Sequence, residues 1–396
     1  MARLWDKGLP LDERVLRFTA GEDHFLDARL VPYDVRASIA HARMLHARGL
    51  LSAEDCAAIC AGLESLAAAH AAGEWSIALE DEDVHGALER RLIEGIGPAG
   101  GRVHLGRSRN DQVLAALRLY LKDAAHGIAE LAGDVVTALE ELAVAQGRVP
   151  LPGYTHMQPA MPSSVDMWAR GFAAEIADDR AGLAAAVRRA DRNPLGSAAG
   201  YGAPGLPIDR ELTRRELGFA AVHEPVTAVQ LSRGKAEATL MLELALLTGD
   251  LGRLAADLIL FYTEEYSFVA LPAGMTTGSS IMPQKRNPDI FELVRAAPAT
   301  IQGALLEVLG ITAKLTSGYH RDLQRLKGPL FRSIDLAADC AAIMAHALGG
   351  VRFLPENIEL DERLHAARRA SELAVRTGMP FREAYREIAA ELAKKE

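Results

Sequence analysis

The stretch Thr277-Gly278-Ser279-Ser280-Ile281-Met282-Pro283-Gln284-Lys285-Arg286-Asn287-Pro288 concentrates chemistry. Two hydroxyls follow a glycine, and two prolines bracket a lysine and an asparagine. Pro283 and Pro288 lack an N–H and disfavour helix in the residue before them, so the segment reads as a loop. Gly278 leaves neighbouring N–H groups uncovered. A loop of this composition can surround an anionic group with hydroxyls, a cation, an amide and backbone donors. Those parts hold a carboxylate and stabilise extra charge building on it. A plain connecting loop is the alternative, and the variety of polar groups argues against it.

Three further polar knots lie elsewhere. His104-Leu105-Gly106-Arg107-Ser108-Arg109-Asn110-Asp111-Gln112 opens a helical pattern. Arg107 and Arg109 read either as a solvated face or as a carboxylate clamp, the latter favoured at a helix start. His156 follows Thr155 and precedes Gln158 in a loop, where a histidine suits proton transfer better than core packing. Tyr319, Gln324 and Lys327 are spaced to share one helix face, which alone is weak evidence. Glu292 reads as an ordinary first-turn carboxylate favoured by the helix dipole, and Asp81 likewise.

These knots need rigid elements to position them. Leu114, Leu117, Leu121, Ala124, Ile128, Leu131, Val135, Ala138 and Leu142 keep a 3–4 spacing, a coiled-coil-like stripe ending before Gly147 and Pro150. Leu240, Leu244, Leu247, Leu251, Leu254 and Leu258 form another. Further helices are predicted from Val35 to Gly49, from Ser52 onward with Asp55 three positions after the cap, from the 81–85 acidic run, up to about Arg192, from Ile290 to about Leu315, and up to about Leu348. Strand signals are nearly absent, and residues 193–210 read as turns or a short hairpin. Long stripes of this kind cannot bury two apolar faces alone, so the expected fold is all-α, a long-helix bundle completed by other subunits.

Composition bounds the rest. The chain has 396 residues, 24% charged and 49% hydrophobic, with net charge −9. That balance argues against a nucleic-acid partner. Cys56, Cys60 and Cys340 form no disulfide framework and fit a reducing cytoplasm. No targeting segment or membrane span is legible. No His/Cys/Asp cluster has metal-ligand spacing, so neither a metal nor a cofactor is expected.

The pattern G-S-S-x-M-P-x-K-x-N-P resembles the signature of the fumarase/aspartase superfamily, and the form from Gly278 to Asp289 is similar to its argininosuccinate lyase branch. The resemblance runs over nearly the whole chain through Leu4-Trp5, Glu82-Asp83-Val84-His85, the 106–112 knot, Gly153-Tyr154-Thr155-His156, the Ser279 loop and the Tyr319…Gln324 segment. It implies the β-elimination of L-argininosuccinate to L-arginine and fumarate. It implies Ser279 as general base, Lys285 and Asn287 as holders of the fumarate-side carboxylates, and His156 partnered by Glu292. Ser108, Arg109, Asn110 and Thr155 match substrate ligands. Tyr319, Gln324 and Lys327 match residues that hold the arginine half. A homotetramer of fumarase/aspartase type with shared active sites is implied too, with small terminal helical domains at 1–107 and 349–396 flanking a central 108–348 bundle. A sibling lyase of adenylosuccinate type and a non-catalytic homologue are the alternatives. Two segments depart from the branch. In Gly21-Glu22-Asp23-His24-Phe25-Leu26-Asp27, Asp23 occupies the place of a usual serine, and 230–235 also differs. No ligand is carried over in either.

Overall fold

The apolar stripes become long helices in the structure, a computed structural model that describes residues 12–394. The motif residues Leu4 and Trp5 lie outside the described residues. The first stripe forms the 38-residue helix Arg109–Gln146. Its Leu114, Leu117, Leu121, Ile128, Val135 and Leu142 are all buried. The second forms Lys235–Tyr262, with all six of its stripe leucines buried. Burying one such side chain stabilises by roughly 1.5–3 kcal/mol relative to exposure. Val165–Ala190, Asp289–Thr312 and Lys327–Leu348 complete the long set. Among the described residues the fold is all-α apart from three two-stranded pairings.

Local signals set several helix starts. Ser52 Oγ accepts from Asp55 N at 3.0 Å and opens Ala53–Ala71. Asp83 accepts from Gly86 N at 2.9 Å and caps Val84–Ile96. Asp81 is therefore not a first-turn dipole residue. It ends a short 3-10 turn, and its carboxylate holds Arg90 Nε at 2.7 Å and Arg91 Nη1 at 3.0 Å.

Packing gathers the chain into two units, each assembled from three stretches. Unit 1 holds residues 12–129, Ala181–Ala245 and Ala299–Leu336. Part of its core is Ala37, Ala40, Ala115, Leu119, Leu195, Leu217 and Phe219, with Tyr33 against them. Unit 2 holds Glu130–Arg180, Leu246–Pro298 and residues 337–394. Its centre is aromatic: Trp168 meets Phe172, Phe261 and Phe353 at 5.5–5.9 Å.

Unit 2 also contains an element without a counterpart in the sequence reading, a hairpin of Pro150–Thr155 and Gln158–Ser164 with a bulge at Gly153/Tyr154. Its four prolines, Pro150, Pro152, Pro159 and Pro162, hide the strand signal. A two-stranded ribbon has only edges, so a missing N–H is tolerated there.

Candidate active site

In unit 1 the 104–112 knot turns into the helix Arg109–Gln146. Gly106 has φ 71, and a Cβ there would stand 2.7 Å from Ile208 Cδ1, so any side chain at this position is strained. Ser108 Oγ accepts from Asn110 N at 3.3 Å. Asp111 accepts from Ser108 N, Gly196 N and Ala198 N at 2.8–3.0 Å, which ties the helix start to the 196–198 turn. Burial pushes its carboxyl up to about 6.

The two arginines of the knot part company. Arg109 lines a cavity and ion-pairs with Asp83 at 2.6 Å. Arg107 is buried on the other side and donates to Ser38 Oγ at 2.8 Å. Of the two arginines expected to form a clamp, only Arg109 therefore lines the cavity, because the helix start turns successive side chains in different directions.

Behind the cavity wall, fully buried Asp34 accepts from Ser38 Oγ, from Gln112 Nε2 and from His85 Nδ1. Burial pushes the Asp34 carboxyl up, but His85 and Arg107 more than reverse this, so it sits below the usual carboxylate range. Burial pulls His85 down, while Asp34, Asp83 and Asp27 lift it above its ordinary value. The depressed Asp34 contributes stability above about pH 4 that is lost as pH falls through its folded pKa. The raised His85 contributes stability below about pH 6.5 that is lost as pH rises through its folded pKa. Asp34→Asn should thus cost about 1.5–3 kcal/mol near pH 5.5 in urea unfolding, with a smaller difference at alkaline pH. An unchanged midpoint at pH 5.5 would show that the pair carries no charge.

The cavity itself, about 150 Å³, brings together Arg109, Asn110, Tyr319, Gln324 and Lys327. Tyr319 is not on a helix. Gln324 sits in the 3-10 segment Arg321–Leu326, and Lys327 is the first residue of Lys327–Leu348. Their closeness thus comes from a tight turn rather than one helix face. Gln324 Nε2 donates to Thr19 O and Ala20 O at 2.9 and 3.0 Å, and its Oε1 accepts from Arg321 Nε. Lys327 is 4% exposed and bonds Asp27 at 2.6 Å and Asp23 at 2.8 Å. Burial would lower its pKa, but the two carboxylates hold it well above the ordinary value. Ser108 is half-buried beside Arg109 and caps the helix.

Two cavity residues come from segments that the sequence reading set aside. Asp23 lines the wall next to Lys327. Arg233 is 6% exposed; its Nε and Nη1 have no hydrogen-bond partner among the described residues, and Glu237 is 4.0 Å away. Arg118 donates to Ser232 Oγ at 2.8 Å and anchors the turn that presents Arg233. A signal existed for Asp23: Asp23, Asp27 and Asp34 recur at near-helical spacing among Leu26, Leu30 and Val31, an apolar face on which carboxylates need partners.

Unit 2 holds the other expected residues. Thr155 and His156 lie exposed at the hairpin tip. His156 and Met157 have φ 55 and 60, the left-handed pair of a two-residue hairpin turn with neither residue glycine. Such conformations persist where surrounding structure enforces them, and they cluster at functional sites. Tyr154 props the strand edge-on against Tyr266 at 6.4 Å.

The Ser279 loop is pinched at its neck. Thr277 N donates to Asn287 O at 3.0 Å and Asn287 N to Thr277 O at 2.8 Å. Inside it, Ser279 Oγ accepts from Ile281 N at 3.3 Å and Met282 N at 3.2 Å. Lys285 is exposed, and Asn287 Nδ2 reaches Gly278 O at 3.5 Å. Glu292, one turn into Asp289–Thr312, is exposed and forms no ion pair with His156 within this chain.

A long-helix bundle with a hydroxyl-rich, pinched loop and an arginine-lined cavity finds its match among lyases. The sequence pattern of the lyase family covers residues 12–303. The argininosuccinate lyase of Sorangium cellulosum (strain So ce56) is 48% identical over 393 residues, spanning 99% of this chain and 91% of that protein. That of Xanthomonas axonopodis pv. citri (strain 306) is 42% identical over 389 residues, spanning 98% and 89%. Among solved structures, EDDS lyase in complex with formate superposes with TM-score 0.81 at 25% identity, over 98% of this chain and 77% of that one. The chain belongs to the lyase family of fumarase/aspartase type and, within it, to the argininosuccinate lyases.

Proposed function

We propose that this protein catalyses the reversible β-elimination of L-argininosuccinate to L-arginine and fumarate, a step of arginine biosynthesis. Ser279, as alkoxide, takes a proton from the carbon next to one succinate carboxylate. The electron pair flows into that carboxylate as an aci-carboxylate, then returns to form the double bond as the C–N bond breaks. The guanidino group leaves with a proton, for which His156, paired with Glu292, is a candidate donor. The chemistry demands that a carboxylate carrying extra charge be stabilised, a task assigned to Lys285, Asn287 and the loop N–H groups. Ser108, Arg109, Asn110 and Thr155 hold substrate carboxylates, and Tyr319, Gln324 and Lys327 hold the arginine half.

The observation that carries this reading is the cavity where Arg109, Asn110, Tyr319, Gln324 and Lys327 converge. Purified protein given argininosuccinate should generate the ultraviolet absorbance of fumarate, and adenylosuccinate should not. The reverse pattern would assign a sibling reaction, and silence with both a non-catalytic protein.

The working form is a cytoplasmic homotetramer with shared active sites, with chain-order segments 1–107, 108–348 and 349–396. Support comes from apolar side chains left uncovered on the long helices: Leu242, Leu246, Leu293, Leu306 and Leu309 are all exposed. No described helix is long and apolar enough to cross a membrane. Sedimentation should give a particle of four chains. Co-refolding inactive His156→Ala and Ser279→Ala subunits should recover part of the activity. A fully active monomer would exclude sharing.

A further inference from the structure

Among the described residues, each carboxylate around the cavity has a cation of its own except in one place, and Arg233 on the same lining stands 4.0 Å from Glu237 with its Nε and Nη1 unbonded. Asp83 has Arg109 at 2.6 Å, Glu82 has Arg321 at 3.4 Å, and Asp34 has His85. Asp23 and Asp27 share the single cation of Lys327, at 2.8 and 2.6 Å. With both carboxylates ionised this trio holds one surplus negative charge in a buried setting, where an uncompensated charge is costly.

The two carboxylates are not equivalent. Asp27 is fully buried, and its second oxygen already accepts from Val84 N at 3.3 Å. It alone can neutralise Lys327. Asp23 is 8% exposed and contributes to the cavity wall alongside Tyr319, Gln324 and Lys327. The surplus therefore faces the cavity.

We propose that Asp23 is a specificity-determining residue that receives the α-ammonium group of the substrate's arginine half. This rests on the reaction proposed above. Tyr319, Gln324 and Lys327 are the residues assigned to that half. On it, the guanidinium is bonded to the succinate carbon that reacts, which leaves the α-ammonium as the cation remote from the breaking bond. A primary ammonium offers three donors to a carboxylate that has room for them. Desolvation by burial, with Asp27 and Asp83 adding to it against the opposing pull of Lys327, pushes the Asp23 carboxyl up to about 7, as expected of a site awaiting a second cation.

The test compares inhibition of argininosuccinate cleavage by L-arginine and by 5-guanidinopentanoate, which is arginine without its α-amino group. On the wild-type enzyme the desamino compound should inhibit at least about tenfold more weakly, the scale of one buried charge-assisted hydrogen bond. In Asp23→Asn, arginine should fall to about the level of the desamino compound, while inhibition by fumarate stays unchanged. Equal inhibition by the two compounds on wild type overturns the assignment without any variant, as does an equal loss of both in Asp23→Asn. If the asparagine variant does not fold, the wild-type comparison decides. A wild type that releases no fumarate sinks the reaction itself, and this assignment with it. An active wild type with equal inhibition sinks the role of Asp23 alone.

Discussion

Ser279→Ala should lower kcat by about a thousandfold or more, within the usual contribution of a positioned base and its activation. Binding of argininosuccinate should change little, because only help given in the transition state is lost. The loop geometry explains how a serine could serve at all. A hydroxyl is a weak base at neutral pH, so its alkoxide must be stabilised. Ser279 Oγ already accepts from two successive N–H groups, Ile281 N and Met282 N, in the arrangement that favours a negative oxygen. The pinch between Thr277 and Asn287 holds the loop that presents them. Ser280, its exposed neighbour, is the control, and Ser280→Ala should stay far closer to wild type. Single-turnover fumarate release separates chemistry from product release. A Ser279→Ala enzyme that keeps most of its kcat would remove this residue from the proton-abstracting role.

Much of the fold was legible because it rests on one periodic signal. The leucines from Leu240 to Leu258 keep their spacing through Gly249 and Gly252, and the helix runs unbroken through both. The hairpin carrying His156 was illegible for the opposite reason, since prolines erase the donors and the propensities by which strands are recognised. Site residues divided similarly. Ser279, Lys285 and Asn287 lie in one contiguous motif, and local sequence sufficed to group them. Arg107 departs from the expected clamp because side-chain direction at a helix start depends on what packs behind it, here Ser38. Asp23 could not be placed because its partner, Lys327, is some 300 residues away in the chain, and only the tertiary fold reveals the shared charge. Arg233 was missed because its segment departs from the family pattern, and nothing in the local residues says which way a buried guanidinium points.

The same charge sharing makes Lys327 the side chain whose removal should cost the fold most. Lys327→Met keeps the bulk of the side chain but leaves Asp23 and Asp27 facing each other in a buried setting. Removing one partner of a buried pair typically costs about 3–5 kcal/mol. Here Asp27 loses its cation while Asp23, whose carboxyl already stands at about 7 with Lys327 beside it, takes up a proton, so the lower part of that range is expected in urea unfolding near neutral pH. Activity should fall as well, since the arginine half loses a contact. A structural role and a binding role then separate through a second substitution. Adding Asp27→Asn to Lys327→Met removes the stranded charge and should restore much of the stability. Activity should stay low, because the ammonium that faces the cavity is still missing. Asp23→Asn added instead should recover less stability, and it would further weaken arginine inhibition. If Lys327→Met unfolds no more easily than wild type near neutral pH, the carboxylates are not both charged around it. The surplus negative charge assigned to Asp23 would then be absent.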